Sequence, residues 1–160
     1  MSGIVPAPIA RQPWQMLFPL FTLIGFGALK TQDARYFRTE TDAAGDALSG
    51  TSSYRMVIPP AGVPVKAFWS LSEYQPDADG RLFFFKVPID RHSINSGSSD
   101  LVKRPDGSIV LHLSRERPEE KDVVWVPTPE GPFEAIFRTY RPEEPVIDGS
   151  WRVPPLAKQG

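Results

Sequence analysis

Cysteine is absent from the 160 residues, which excludes disulfides and thiolate chemistry and leaves the redox compartment open. Histidine is nearly absent. His92 and His112 stand far apart, with neither a His-x-His nor a His-x-x-x-His spacing. A metal-binding jelly roll needs a histidine cluster with a nearby glutamate, so no metal and no cofactor are expected. Charge of one sign is also missing: 18 basic residues face 19 acidic ones, for a net charge of −1. Nucleic acid, which selects a strongly positive surface, is therefore not an expected partner. No phosphate-cradling glycine loop, dinucleotide fingerprint or Gly-x-Ser-x-Gly elbow occurs.

Long apolar runs are missing with one exception. From Gln12 to Leu29 there is no charged residue, and Arg11 and Lys30 bracket the run. A helix from Pro13 to Leu29 would rise about 25 Å, short of the roughly 30 Å hydrocarbon core, and Pro19 would kink it or mark its first turn. The run lacks a cationic leader and a small-residue cleavage site, so a removed signal peptide is not favoured. Residues 1–30 are thus expected to form an apolar helical arm and residues 31–160 a separate domain. Three roles for the arm stay open: packing on the domain's own sheet, attachment to a membrane with Trp14 as anchor, or insertion into a protein partner. Leu17, Phe18, Leu20, Phe21, Leu23, Ile24 and Phe26 are apolar all round, so both faces of the arm need cover. A membrane-associated protein, or one held in a membrane complex, is the favoured location, with a soluble cytoplasmic protein as the alternative.

Proline is plentiful at 18 residues, about twice the roughly 5% of average usage, and it cannot donate to a sheet ladder. It should therefore close strands. The pattern after Lys30 is β. Strands are expected at Tyr54 to Ile58, at Val65 to Tyr74 with Ala67, Trp69 and Leu71 on one face, at Leu82 to Phe85, at Ser108 to Ser114, at Val123 to Val126 and at Phe133 to Tyr140. Gln75 to Gly80 reads as a hairpin loop and Asp106-Gly107 as a tight turn. Three consecutive phenylalanines, Phe83 to Phe85, imply burial on both faces. Trp151 is expected to pack a proline-rich tail back over the sheets. The spacing indicates an all-β, jelly-roll-like antiparallel β-sandwich.

Candidate chemistry is sparse. Asp77-Ala78-Asp79-Gly80 resembles the start of a calcium loop, but Pro88 stands where the bidentate glutamate belongs, so it reads as a turn. Ser93, Ser96, Ser98 and Ser99 lie near Asp90, His92 and Asp100, yet without an elbow they read as a serine-glycine loop. Arginine beside aromatic rings suits recognition of carboxylates, sugars or proteins, which singles out Arg91, His92, Trp125, Arg138 and Tyr140 as a candidate ligand-binding edge. Arg138 and Tyr140 share a strand face with Glu134 and Ile136. A buried Arg138 would need a carboxylate, for which Glu73 is a candidate.

The order of Phe68-Trp69-Ser70-Leu71, Arg91 with Ser93-Ile94, Asp106-Gly107-Ser108, Arg138, Tyr140, Pro142, Asp148-Gly149 and Trp151, preceded by Gly25-Phe26-Gly27-Ala28-Leu29, Asp33-Ala34-Arg35-Tyr36 and Tyr54, resembles the domain-of-unknown-function family 1214. The resemblance implies a β-sandwich module that usually follows a family 1254 domain in bacterial proteins, and it implies no activity. Two departures stand out: His92 where the family carries tyrosine, and Val124 where asparagine precedes the tryptophan. The expected function is a non-catalytic binding or assembly module, an accessory subunit held through residues 13–29, with a family 1254 protein as one candidate partner. The alternative is a small-molecule-binding protein or hydrolase-like enzyme with its site near Arg91, His92 and Arg138.

Overall fold

The computed structural model describes residues 14–17, 33–86, 89, 91 and 93–160. Along these the chain forms β1 (Gln15–Leu17), β2 (Ala34–Thr39), β3 (Tyr54–Ile58), β4 (Val65–Pro76), β5 (Leu82–Phe83), β6 (Ser93–Asn95), β7 (Ile109–Ser114), β8 (Val124–Pro127), β9 (Glu134–Pro142), the one-turn helix α1 (Glu144–Ile147) and β10 (Ala157–Lys158). The protein is mostly β. Proline acts as expected: β4, β8 and β9 end on Pro76, Pro127 and Pro142, and Pro59 follows β3.

Two sheets result. The larger has the order β1-β2-β9-β4-β5, with β6 also pairing with β4. The smaller has the order β10-β3-β7-β8. Residues from both sheets meet in one hydrophobic cluster, Phe37, Trp69, Leu71 and Phe137 from the larger and Met56, Leu111, Leu113 and Val126 from the smaller. Strand alternation explains the choice. On β9 the odd positions Ala135, Phe137 and Thr139 point inward and are fully buried. Phe137 is the hub, in ring contact with Trp14, Trp69 and Trp151, so Trp151 does pack the tail onto the core.

Several expectations are corrected. The predicted helix from Pro13 to Leu29 enters the described residues only at its start, where Gln15–Leu17 is a strand antiparallel to β2. Backbone pairing with the exposed edge of β2 replaces the helical hydrogen bonds there. The smaller sheet is not wholly antiparallel, because β7 and β8 run parallel, Leu111 opposite Val124 and Leu113 opposite Val126. A slip in register between Val65 and Phe68 leaves Ala67 exposed instead of sharing the buried side of Trp69 and Leu71. Phe83 and Phe84 are 53% and 59% exposed, not buried on both faces. Strand β5 has only two residues at the sheet edge, so no neighbour covers its outer side.

The turns follow their side chains. Asp77 Oδ1 accepts the backbone N–H groups of Asp79 and Arg81, closing the β4–β5 hairpin that the sequence signals. Asp106 Oδ1 accepts both the N–H and the hydroxyl of Ser108, with Gly107 between them at φ 88°. Gly50 is required by proximity: a Cβ there would stand 1.6 Å from the Pro129 carbonyl oxygen, while its own N–H donates to Gly131 O at 3.0 Å. We expect Gly50→Ala to cost about 3 kcal/mol, because the clash is with backbone and cannot be relieved by a rotamer. Urea unfolding measures it, and a loss under roughly 0.5 kcal/mol, the size of an ordinary surface change, would contradict the close approach.

Candidate functional site

The outward face of the larger sheet gathers three of the four tyrosines around Arg138. Register fixes the arrangement, with Tyr36 of β2 and Ser70 of β4 opposite Arg138, and Phe68 opposite Tyr140. The Arg138 guanidinium donates from Nη1 to Ser72 Oγ at 2.8 Å and from Nη2 to the Tyr74 hydroxyl at 2.7 Å. Its carbon lies 5.7 Å from the ring centroids of both Tyr36 and Tyr74. The rings form two groups: Phe68 stacks on Tyr140 at 4.3 Å, Tyr140 meets Tyr36 edge-on at 6.2 Å, and Tyr74 stacks on Phe84 at 5.1 Å. Burial first, then Tyr36, pushes the Tyr140 phenol above its usual range. One row away, Arg38 holds the buried Glu134 in a bidentate pair at 2.5 and 2.7 Å, and that hydrogen bond raises the Arg38 pKa.

Glu73 does not pair with Arg138. The two stand on opposite faces, because Glu73 alternates with Trp69 and Leu71 toward the core and sits opposite the buried Ala135. Glu73 is 2% exposed, and neither carboxylate oxygen has a hydrogen-bond partner among the described residues. Burial pushes its carboxyl well above the usual range, which keeps it protonated where an exposed glutamate is charged. Sequence reasoning missed this. A strand that interleaves Trp69, Leu71 and Glu73 at period 2 carried the signal.

The other candidate residues lie elsewhere. Arg91 donates from Nη1 to the Trp125 carbonyl at 2.7 Å and forms an ion pair with Asp100. Burial first and Arg117 second lower its pKa. The Trp125 indole N–H is taken by Ser114 O at 3.0 Å. Arg91, Asp100 and Trp125 line a cleft of about 710 Å³ whose lining includes neither Arg138 nor Tyr140. The structure therefore separates Arg91 and Trp125 from Arg138 and Tyr140. His92 lies outside the described residues. His112, next to Trp125 in register, accepts from Arg55 Nε at 3.2 Å through Nδ1, and Arg55 also pairs with Glu120. Burial first, then Arg55, lowers the His112 pKa. Arg104 joins Glu120 and Asp122, and through the Arg55–Glu120 pair the charged stretch 115–122 is tied to the smaller sheet.

Of the apolar segment, Trp14 is buried at 8% exposure and donates its indole N–H to Pro154 O at 3.0 Å. Leu17 pairs with Tyr36 through the backbone, while Phe18, Leu20, Phe21, Leu23, Ile24 and Phe26 lie outside the described residues. The serine loop uses its hydroxyls for structure: Ser96 Oγ accepts from Trp69 N and Ser98 Oγ from Asn95 N. Among the described residues no group of three or more histidines and carboxylates is placed to hold a metal. No described helix is long and apolar enough to cross a membrane.

The model of a family described as "Protein of unknown function (DUF1214)" matches residues 33–144. Comparison with curated proteins finds no match. Among solved structures, the VPA0106 protein of Vibrio parahaemolyticus is 26% identical, with a TM-score of 0.69 over 87% of this chain and 34% of its own. An uncharacterised protein of Burkholderia cenocepacia is 16% identical, with a TM-score of 0.49 over 94% of this chain and 35% of its own. The chain thus spans about a third of the length of these structures.

Glu73 and His112 set opposite pH trends. The folded state holds the Glu73 proton more tightly than the unfolded state, so stability is full below pH 4.5 and falls as pH rises through the raised native value. His112 binds its proton less well when folded, so its contribution is full above pH 6.5 and falls as pH drops. Glu73→Gln should flatten the decline above pH 4.5 by up to about 1.4 kcal/mol per pH unit. His112→Gln should flatten the acid side. Urea midpoints taken across pH measure both effects, and curves parallel to wild type would refute these assignments.

Proposed function

Because the chain belongs to the DUF1214 family, whose description names no reaction, we propose from its own geometry that it is a non-catalytic binding or assembly module that docks another protein. The observation that carries this reading is the pair of ring groups Phe68–Tyr140–Tyr36 and Tyr74–Phe84, bridged by the Arg138 guanidinium, across the larger sheet. Its two ends, Phe68 at 42% and Phe84 at 59% exposure, present large apolar surface. Tyrosine, phenylalanine and arginine are the residues that dominate protein interfaces, and rings locked by stacking lose little entropy on contact. Arg138 is already held by Ser72 and Tyr74, so it serves the face as a rigid cation between rings.

The two sheets and their shared core support reading the fold as a sandwich of the jelly-roll kind. Trp14 and the backbone of Leu17 belong to that domain, which narrows the second contact element to Phe18, Leu20, Phe21, Leu23, Ile24 and Phe26, read from composition alone. The partner is then another protein subunit, a family 1254 protein being one candidate, in a complex at a membrane. A ligand-binding function is the second reading, favoured by the Arg91 cleft.

The test uses the full chain with a carboxy-terminal tag, recovered from native membranes and cytosol in mild detergent. Phe68→Ser with Phe84→Ser should leave the melting temperature within a few degrees, since both side chains are exposed. The same pair should lower recovery of a stoichiometric partner by at least tenfold, or about 1.4 kcal/mol. Equal recovery by variant and wild type would remove this face from the assembly. Recovery of lipid without protein would move the reading to membrane attachment.

A further inference from the structure

Parallel pairing of β7 with β8 forces the chain back along the strand before β8 can begin. Residues 115–123 make this return, and Arg117 to Lys121 and Val123 from it line the 710 Å³ cleft together with Arg91. That volume is in the range of small-ligand sites, roughly 300 to 1,000 Å³. Apolar side chains form part of its lining, beside charged ones. The Trp125 side chain has its one polar atom bonded to Ser114 O, so the half-buried indole offers ring surface, with Val124, Ile89 and Val102 also in the lining.

Charge in the cleft is unevenly spent. Asp100 is held by Arg91, and Glu120 is shared by Arg55 and Arg104. Arg117, Lys121 and Glu119 all line the cleft with no ion pair among the described residues, so two cations and one anion there are left to meet a ligand. Arg117 lines the same cleft as Arg91, and after burial its charge is the second cause that lowers the Arg91 pKa, while Arg91 itself is fixed by Trp125 O with only 19% of its side chain exposed. An arginine fork carries five N–H donors, and two contacts leave several unused. A planar anion between two guanidiniums would relieve the repulsion and meet both forks. A compact phosphate would satisfy the cations but leave the indole and valine lining in water.

We propose that this cleft binds a small organic carboxylate with an aromatic body, the carboxylate between Arg91 and Arg117 and the ring laid on Trp125. This site is separate from the docking face and does not depend on it. Three probes decide it on the full-length protein: phenylacetate, its neutral amide phenylacetamide, and inorganic phosphate. Two-dimensional 15N spectra follow the Trp125 indole N–H, assigned by Trp125→Phe. Phenylacetate should shift that signal saturably at millimolar concentration. Arg117→Gln, a change at an exposed side chain, should weaken binding at least tenfold without lowering the melting temperature, and phenylacetamide should weaken it as much. No saturable shift, or binding to Arg117→Gln equal to wild type, would overturn the site. Phosphate binding as tightly as phenylacetate would overturn the ligand class. Arg91→Lys supplies the second variant, since it keeps the charge and loses the fork, and unchanged phenylacetate affinity there would equally overturn the geometry.

Discussion

Strand β9 must satisfy two neighbours and two faces at once. It pairs antiparallel with β2 along six positions, Ala34 to Thr39, and with β4 from Phe68 to Tyr74 on its other edge. No residue of β9 can therefore shift by one without moving Phe137 out of the core and Arg138 into it. That coupling is what makes the register unambiguous. Phe137 needs three tryptophans around it, and Arg138 needs Ser72, Tyr36 and Tyr74. The inner and outer demands agree on one alignment, and the outer sheet face is as much a product of that alignment as the core is.

The smaller sheet obeys a different constraint. Its strand β7 is buried along its whole length, Val110, His112 and Ser114 as well as the core-facing Ile109, Leu111 and Leu113. A strand covered on both sides needs something on the outside, and here Arg55 of β3 reaches over His112 and joins Glu120, which with Asp122 pairs with Arg104. The ion pairs are partly exposed, so each contributes modestly, but together they hold the return segment over His112. Function candidates thus fall on two surfaces with different physics: stacked rings on the larger sheet, and a charged cleft with an indole floor on the smaller.

Much of the architecture was legible in the chain because period-2 alternation and turn chemistry are local. Tyr54 to Ile58, Ile109 to Ser114 and Glu134 to Tyr140 show it, as do the Asp77 hairpin and the Asp106 turn. What was not legible depended on neighbours distant in sequence. Phe83 and Phe84 look like core until the sheet is seen to end at β5. Ala67 looks buried until the slip beside Phe68 is counted. The parallel course of β8 leaves no mark in Val124 to Pro127. Of the candidate site, the grouping of Arg138 with Tyr140 was readable from spacing, whereas its separation from Arg91 and the orphaned state of Glu73 required the fold. The polar partner of Arg138 escaped for the same reason, since Ser72 and Tyr74 are on its face and Glu73 is not.

The position of β9 in the chain has a consequence for synthesis. The strand between β2 and β4 in the larger sheet is made after both of them: Thr39 precedes its own partner Ala135 by 96 residues. At about 5 to 20 residues per second, β2 waits roughly five to twenty seconds and β4 roughly three to twelve on the ribosome with their middle neighbour missing. During that interval Phe37, Trp69 and Leu71 have no sheet to enter, and the edges of two β-prone segments are open to other chains. The nascent domain is then at its most vulnerable until β9 emerges, and any factor that holds unfolded chains would find its target between β4 and β9.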